Sequence, residues 1–242
     1  MEPRVQYAKS SDGVSIAYCA IGEGLPLFTV NPCVSHVQLE WQLYPQFYGA
    51  LARSFRLIWY DSRGTGLSQR DNLDFSLAAR LRDLTAVIDR TKTETFVVAG
   101  FNLGAPIAIA YAAQAPDHIS HLIVVDGWAK FGDVAELPAW QAERALRGND
   151  WRIYTETLAR VLFGIEDEAL AKEWVEYLRV AIDPEALRKS FSALEEYDVS
   201  SLVASLAMPT LVIHSKWNRF VSAPVAQRLA ADTPLSEFLS SG

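Results

Sequence analysis

Short apolar runs alternate with longer amphipathic stretches along the first half of the chain, and the alternation is regular enough to predict its elements. Residues 5–8 and 14–20 read as two strands turned at Ser11-Asp12-Gly13, a turn signal between apolar runs. Residues 26–30 and 55–60 are largely apolar runs, interrupted by Thr29 and Arg56, the pattern of strands buried on both faces. A helix is predicted between them over 43–53. Another is predicted over 75–91, where Leu77, Leu81, Leu84 and Ile88 recur at helical spacing behind the acidic Asp74. Residues 95–99 then predict a strand, 103–114 a helix and 121–125 a strand. Strands that alternate with helices require a mostly parallel sheet with helices on both faces, so the fold class is α/β.

The rhythm changes after Asp126. Residues 128–205 hold helical stretches and no convincing strand, and they concentrate Trp140, Trp151, Tyr154, Trp174 and Tyr177. The α/β pattern resumes with a strand at 209–214, a helix over 223–231 and a short strand at 235–239. The expected organisation is a sheet core made of 1–127 and 206–242, with 128–205 as a helical cap inserted over the carboxyl edge. Ligands bind at that edge in open α/β sheets.

Composition narrows the function classes. A chain of 242 residues, half of them apolar and 21% charged, suits one large globular domain with a full core. The net charge of −7 argues against direct nucleic-acid contact, which needs clustered Lys and Arg. Cys19 and Cys33 lie inside apolar strand-like runs and are expected to be buried free thiols. The opening residues lack a leader pattern, and no apolar run approaches the ~20 residues of a membrane span. A cytoplasmic location without membrane contact is therefore expected, with no cofactor and no metal.

Two motifs carry the chemistry. Gly100-Phe101-Asn102-Leu103-Gly104 sits between a predicted strand and an alanine-rich helix, in the layout of the G-x-S-x-G nucleophile turn. Its central residue is Asn102, and an amide is neither nucleophilic nor basic, so no acyl-enzyme forms there. Upstream stands Tyr60-Asp61-Ser62-Arg63-Gly64-Thr65-Gly66-Leu67-Ser68. With both motifs, the opening 7–24 and Ser35-His36 before Glu40-Trp41, the chain resembles the α/β-hydrolase superfamily. It is most similar to the hydrolase-like domains that bacteria fuse to LuxR-type regulators or nucleotide cyclases. The resemblance implies an α/β-hydrolase fold over essentially the whole chain, matching only loosely in 128–205. It also implies that Asp61 and Arg63 support the fold rather than catalysis.

The resemblance further locates a triad that this chain does not complete. The acid position falls at Asn218, which cannot stabilise an imidazolium by charge. Asp126, after the preceding sheet strand, is the alternative acid. The catalytic histidine belongs after the final strand, and none of His36, His118, His121 and His214 lies there. The sequence stops at Gly242, where that histidine would come next, so a truncated chain or one module of a longer protein is expected.

What remains is binding. The backbone N–H of Leu103 and one from the Pro32-Cys33-Val34 loop are the candidate oxyanion donors. Cys33, Val34, Phe101, Asn102 and Leu103 are the expected ligand-binding residues, under an apolar roof from the insertion. The leading expectation is a non-catalytic sensory or regulatory module for a small apolar or carbonyl-bearing ligand. The alternatives are an ester-type hydrolase with a non-standard or truncated site, and an interaction module with a vestigial pocket. Partners left open are a fused or associated regulatory domain and a second copy of the chain. Negligible turnover of p-nitrophenyl esters is expected. Asn102→Ser alone is not expected to create activity, since the new hydroxyl would have no general base; robust hydrolysis by that variant in a spectrophotometric assay would reveal one.

Overall fold

The computed structural model describes residues 3–31, 33–148, 150–162 and 167–241. Strands β1 (Gln6–Lys9) and β2 (Ser15–Ile21) form the antiparallel hairpin expected at Ser11-Asp12-Gly13. They are followed by β3 (Leu25–Val30), β4 (Phe55–Tyr60), β5 (Phe96–Phe101), β6 (Ile119–Val125), β7 (Thr210–Ser215) and β8 (Ser236–Ser241). Among the described residues these eight strands form one sheet in the order β1-β2-β4-β3-β5-β6-β7-β8. From β4 to β8 every neighbouring pair is parallel. The fold is thus an α/β-hydrolase fold, with strands within two residues of the predicted bounds.

Alternation along the strands feeds two separate apolar layers. Phe28, Ile58, Val98 and Leu122 face one side with Leu84 and Val87 of α3 (Leu77–Thr91) and Ile107 of α4 (Ala105–Gln114). Leu27, Leu57, Trp59, Val97 and Ala99 face the other, against Val37 of α1 (Val37–Leu43) and Tyr48 of α2 (Pro45–Ala52). The helix predicted over 43–53 is α2, and α1 precedes it where no helix was expected. Pro45 opens α2, because a proline at the first helical position gives up an N–H that has no partner there anyway.

Helix α3 is capped by Ser76, whose hydroxyl accepts from Ala79 N, and its buried face differs from the predicted leucine stripe. Leu77 and Leu81 are only half-buried, whereas Arg80 and Asp83 point inward with Leu84, Val87 and Ile88. Spacing alone selected the leucines; tertiary partners made the two charges buriable. Asp83 receives the Arg63 guanidinium at 2.7 Å, both side chains being fully buried. Arg63 also meets Asp12 of the β1–β2 turn at 2.9 Å. This ion pair binds the loop after β4 to α3 and to the hairpin. Asp61, in the same loop, accepts from Val37 N and Leu67 N, both at 2.8 Å. Asp61 and Arg63 thus act as structural ties.

Between β6 and β7 the chain forms α5 (Pro138–Leu146), α6 (Trp151–Thr157), α7 (Glu168–Ala181), α8 (Pro184–Leu194) and the short α9 (Ser200–Val203). Helix α10 (Ala223–Asp232) then precedes β8. The inserted helices are fastened to the sheet unit by polar contacts. Gly66 N donates to Ala181 O at 2.7 Å, Tyr197 Oη to Phe75 O at 2.6 Å and Trp140 Nε1 to Phe220 O at 2.9 Å. Among the described residues no helix is long and apolar enough to cross a membrane.

Removing one member of a buried ion pair leaves the other desolvated and uncompensated. Asp83→Ala should therefore lower stability by about 3–5 kcal/mol in urea unfolding. A loss below about 1 kcal/mol would mean that Asp12 alone satisfies Arg63.

Candidate functional site

The site is built at the end of β5. Asn102 has φ +47°, and a 3-10 turn over Asn102–Gly104 leads directly into α4. Left-handed backbone costs most L-residues 1–2 kcal/mol, and asparagine is among the few that tolerate it. The turn can be this sharp because Gly104 has no side chain. A Cβ there would collide with the carbonyl oxygen of Val30 on β3, and one on Gly100 would lie 2.7 Å from Ala105 Cα. Both glycines of the motif are thus required by close packing of α4 on the sheet.

Above the turn lies a cavity of about 170 Å³. Its floor is Cys33 and Val34 after β3 with Asn102 and Leu103 at the turn. The roof is Trp140, Leu158, Trp174, Tyr177, Leu178 and Phe191 from the inserted helices, with Phe220 from the loop after β7. Four of the five expected ligand-binding residues therefore line one cavity. Phe101 does not. It continues the Val97–Ala99 side of β5 and packs edge-to-face on Phe47, 6.0 Å between ring centroids, on the opposite face of the sheet. Strand alternation, with period two, carried it away from the cavity. Pro32 lies outside the described residues.

The side-chain oxygen of Asn102 is the polar feature of the floor: it is buried and has no hydrogen-bond donor among the described residues. The register pairs Phe101 with Val125, so Asn102 and Asp126 each follow the end of adjacent strands at the carboxyl edge. Asp126 also has positive φ, +50°. Its Oδ1 accepts from Ser215 N at 2.7 Å and lies 3.2 Å from His214 Nδ1, off the line of a hydrogen bond. Asn218 is elsewhere engaged. Its Oδ1 accepts from Phe220 N at 2.9 Å and Val221 N at 2.8 Å, closing the loop after β7. Two other histidines, His36 and His118, make structural contacts. His36 caps α1 through Leu39 N, and burial holds its ring below the usual histidine range; His118 bonds the Glu94 carbonyl at 2.8 Å.

Glu40 was not singled out from the sequence as a site residue, yet it supports the cavity wall. Buried beneath Tyr177, it accepts from Tyr177 Oη at 2.9 Å, Tyr48 Oη at 2.6 Å, Asn31 Nδ2 at 3.0 Å and His36 N at 3.3 Å. Burial pushes its carboxyl up, against the pull of these donors. No local signal in the sequence marks it, because its partners come from β3, α2 and α7. The aromatics of the insertion divide between two roles. Trp140, Trp174 and Tyr177 face the cavity, whereas Trp151 and Tyr154 stack on each other at 5.7 Å away from it. Cys19 and Cys33 are free and buried, and burial pushes both thiols up. Among the described residues no cluster of three His, Cys, Asp or Glu side chains is placed to hold a metal ion.

Comparison with known proteins agrees with this geometry. The sequence model of a family described as "alpha/beta hydrolase fold" matches residues 35–240. The chain is 29% identical over 198 residues to a Caulobacter sp. (strain K31) protein named "Putative carbamate hydrolase RutD", covering 78% of this chain and 73% of that one. It is likewise 29% identical over 198 residues to the pimeloyl-(acyl-carrier protein) methyl ester esterase of Nitrosomonas europaea, covering 76% and 75%. Among solved structures, a hydrolase from Pseudomonas aeruginosa PA01 superposes with a TM-score of 0.82 at 22% identity, over 98% of this chain and 90% of that one.

Positive φ at residue 102 makes a backbone prediction. Asn102→Val should cost about 1–3 kcal/mol, since a β-branched residue is strained there, and Asn102→Gly little. Equal losses for both in urea unfolding would show that the amide, not the backbone, holds the turn.

Proposed function

The chain belongs to the alpha/beta hydrolase fold family, and from that premise we propose that it binds a small, mostly apolar ligand through a carbonyl or hydroxyl group held at the Asn102 turn. The ligand class is that of short esters, lactones and carbamates; relatives are named for a carbamate and a methyl ester. The observation that carries this reading is the buried Asn102 oxygen, without a hydrogen-bond partner among the described residues, on the floor of a mostly apolar cavity. An unmade hydrogen bond in a buried place is costly, and a ligand hydroxyl donating to Oδ1, or a carbonyl accepting from the amide once rotated, relieves it. The cavity is close in size to one of 150 Å³ known to hold benzene, which limits the ligand to a ring or short chain. In a longer protein that joined it to a regulator or a cyclase, such binding would serve as a sensory input.

Hydrolysis is the second reading, and the names of the relatives favour it over a purely non-catalytic module. Residue 102 cannot serve as its nucleophile. The groups that remain are Asp126 and His214, 3.2 Å apart at the neighbouring strand ends. An imidazole there would activate a water as general base, with the carboxylate stabilising the imidazolium that forms.

Calorimetric binding and a hydrolysis assay separate the two readings. Methyl butyrate and γ-butyrolactone are expected to bind and to be recovered intact. Asn102→Leu should weaken them by about 1–3 kcal/mol while leaving a purely apolar probe such as benzene nearly unaffected. Steady turnover of p-nitrophenyl acetate that disappears in His214→Gln or Asp126→Asn would establish the hydrolytic reading instead. No binding by any of these probes would remove the binding reading.

A further inference from the structure

Five of the residues that line the cavity are aromatic: Trp140, Trp174, Tyr177, Phe191 and Phe220. Trp174 and Tyr177 are three residues apart on α7 and share a face of that helix. Trp140 comes from α5, Phe191 from α8 and Phe220 from the loop after β7. Separate segments of the chain thus bring rings to one space. An aliphatic ligand does not require this, since apolar burial depends on area and not on direction.

Three of these rings are anchored by their polar ends. Trp140 Nε1 donates to Phe220 O at 2.9 Å, Trp174 Nε1 to Tyr44 Oη at 2.6 Å and Tyr177 Oη to Glu40 at 2.9 Å. Such side chains turn about only two χ angles, and each bond fixes one of them in place before a ligand arrives. The same bonds engage the donors of the roof. A ligand carbonyl therefore meets no open donor on these three side chains, whereas the Asn102 amide stands on the floor.

The angles between the rings decide which surfaces they offer. Trp140 meets Phe191 at 64° and Phe220 at 79°, and Trp174 meets Tyr177 at 65°. Rings crossed in this way touch edge to face and leave faces open. Trp151 and Tyr154, away from the cavity, lie 9° from parallel and turn their faces to each other. An open aromatic face is electron-rich and a ring edge is electron-poor, so a second aromatic ring gains a contact there that a saturated ring of the same size does not.

We infer that the ligand of this cavity is an aryl carbonyl compound: one aromatic ring seated among these side chains, with its ketone, ester or carbamate carbonyl at the Asn102 amide. This rests on the proposed binding role of Asn102 and adds the nature of the ligand's apolar part. A cavity of about 170 Å³ admits one ring with a short substituent, since about 150 Å³ is enough for benzene.

The test is calorimetric titration of the whole chain with acetophenone and with 1-cyclohexylethanone, the same methyl ketone on an aromatic and on a saturated six-membered ring. Acetophenone is expected to bind about 10-fold more tightly, the worth of one or two aromatic pairs beyond area burial. In Phe191→Leu that preference should fall to about 3-fold or less, through weaker binding of acetophenone. Trp174→Leu, at a partly exposed position, should act in the same direction and stands in if the first variant does not fold. Equal binding of the two ketones by the native chain, with both weakened in Asn102→Leu, overturns the aryl assignment and leaves the Asn102 reading intact. A preference that persists in both variants also overturns it, as does one that shrinks only because 1-cyclohexylethanone gains affinity, which would make cavity width the selecting property. Failure of both ketones to bind removes the aryl assignment and the Asn102 reading together.

Discussion

The close approach of helix α4 to strand β3 is the constraint from which the rest of the site follows. Gly104 stands where any Cβ would strike the carbonyl oxygen of Val30, so the helix begins almost on the sheet. The chain can then leave β5 only through a left-handed turn, and Asn102 occupies it with φ +47°. That geometry lifts residue 102 above the carboxyl edge and sets its side chain on the cavity floor. In the related layout the same turn exposes a serine nucleophile. Here it presents an amide, a group that can donate and accept hydrogen bonds.

A floor alone does not make a pocket; the roof must also be held in register. Apolar packing is non-directional and would allow the inserted helices to slide over the sheet. Directional polar contacts remove that freedom. Glu40 gathers Tyr48 and Tyr177 onto one carboxylate, Arg70 and Gly66 N engage carbonyls at the end of α7, and Tyr197 reaches Phe75. Apart from the Tyr48–Glu40 bond, these contacts join residues separated by long stretches of chain. Buried and partnered, they fix where Trp140, Trp174 and Tyr177 stand over Asn102.

Much of the architecture was legible because it depends on local pattern. The largely apolar run at β4 coincides with the strand, and helices lie between β6 and β7 where strand signals ceased. The misses have local causes as well. Helix α1 before Pro45 was not expected, and the leucine spacing of α3 pointed to a face rotated from the true one, because Arg80 and Asp83 are buried there. Phe101 was placed at the site by its neighbourhood in sequence, and strand alternation sends it to the other face.

By itself the sequence determined that an α/β sheet would carry a glycine-flanked turn after β5, and that this turn would hold an asparagine at its centre. Those properties are set by residue identity and short-range spacing, where backbone geometry and side-chain chemistry act directly. Only the tertiary structure decided which aromatics close the cavity, that Asn218 is spent on a loop, and that Asn102 and Asp126 follow adjacent strand ends, with His214 beside Asp126. It alone also decided that Glu40 and Arg80 are buried, one saturated with partners and the other not. These outcomes depend on which distant groups meet across the packed layers, and no local pattern encodes that meeting.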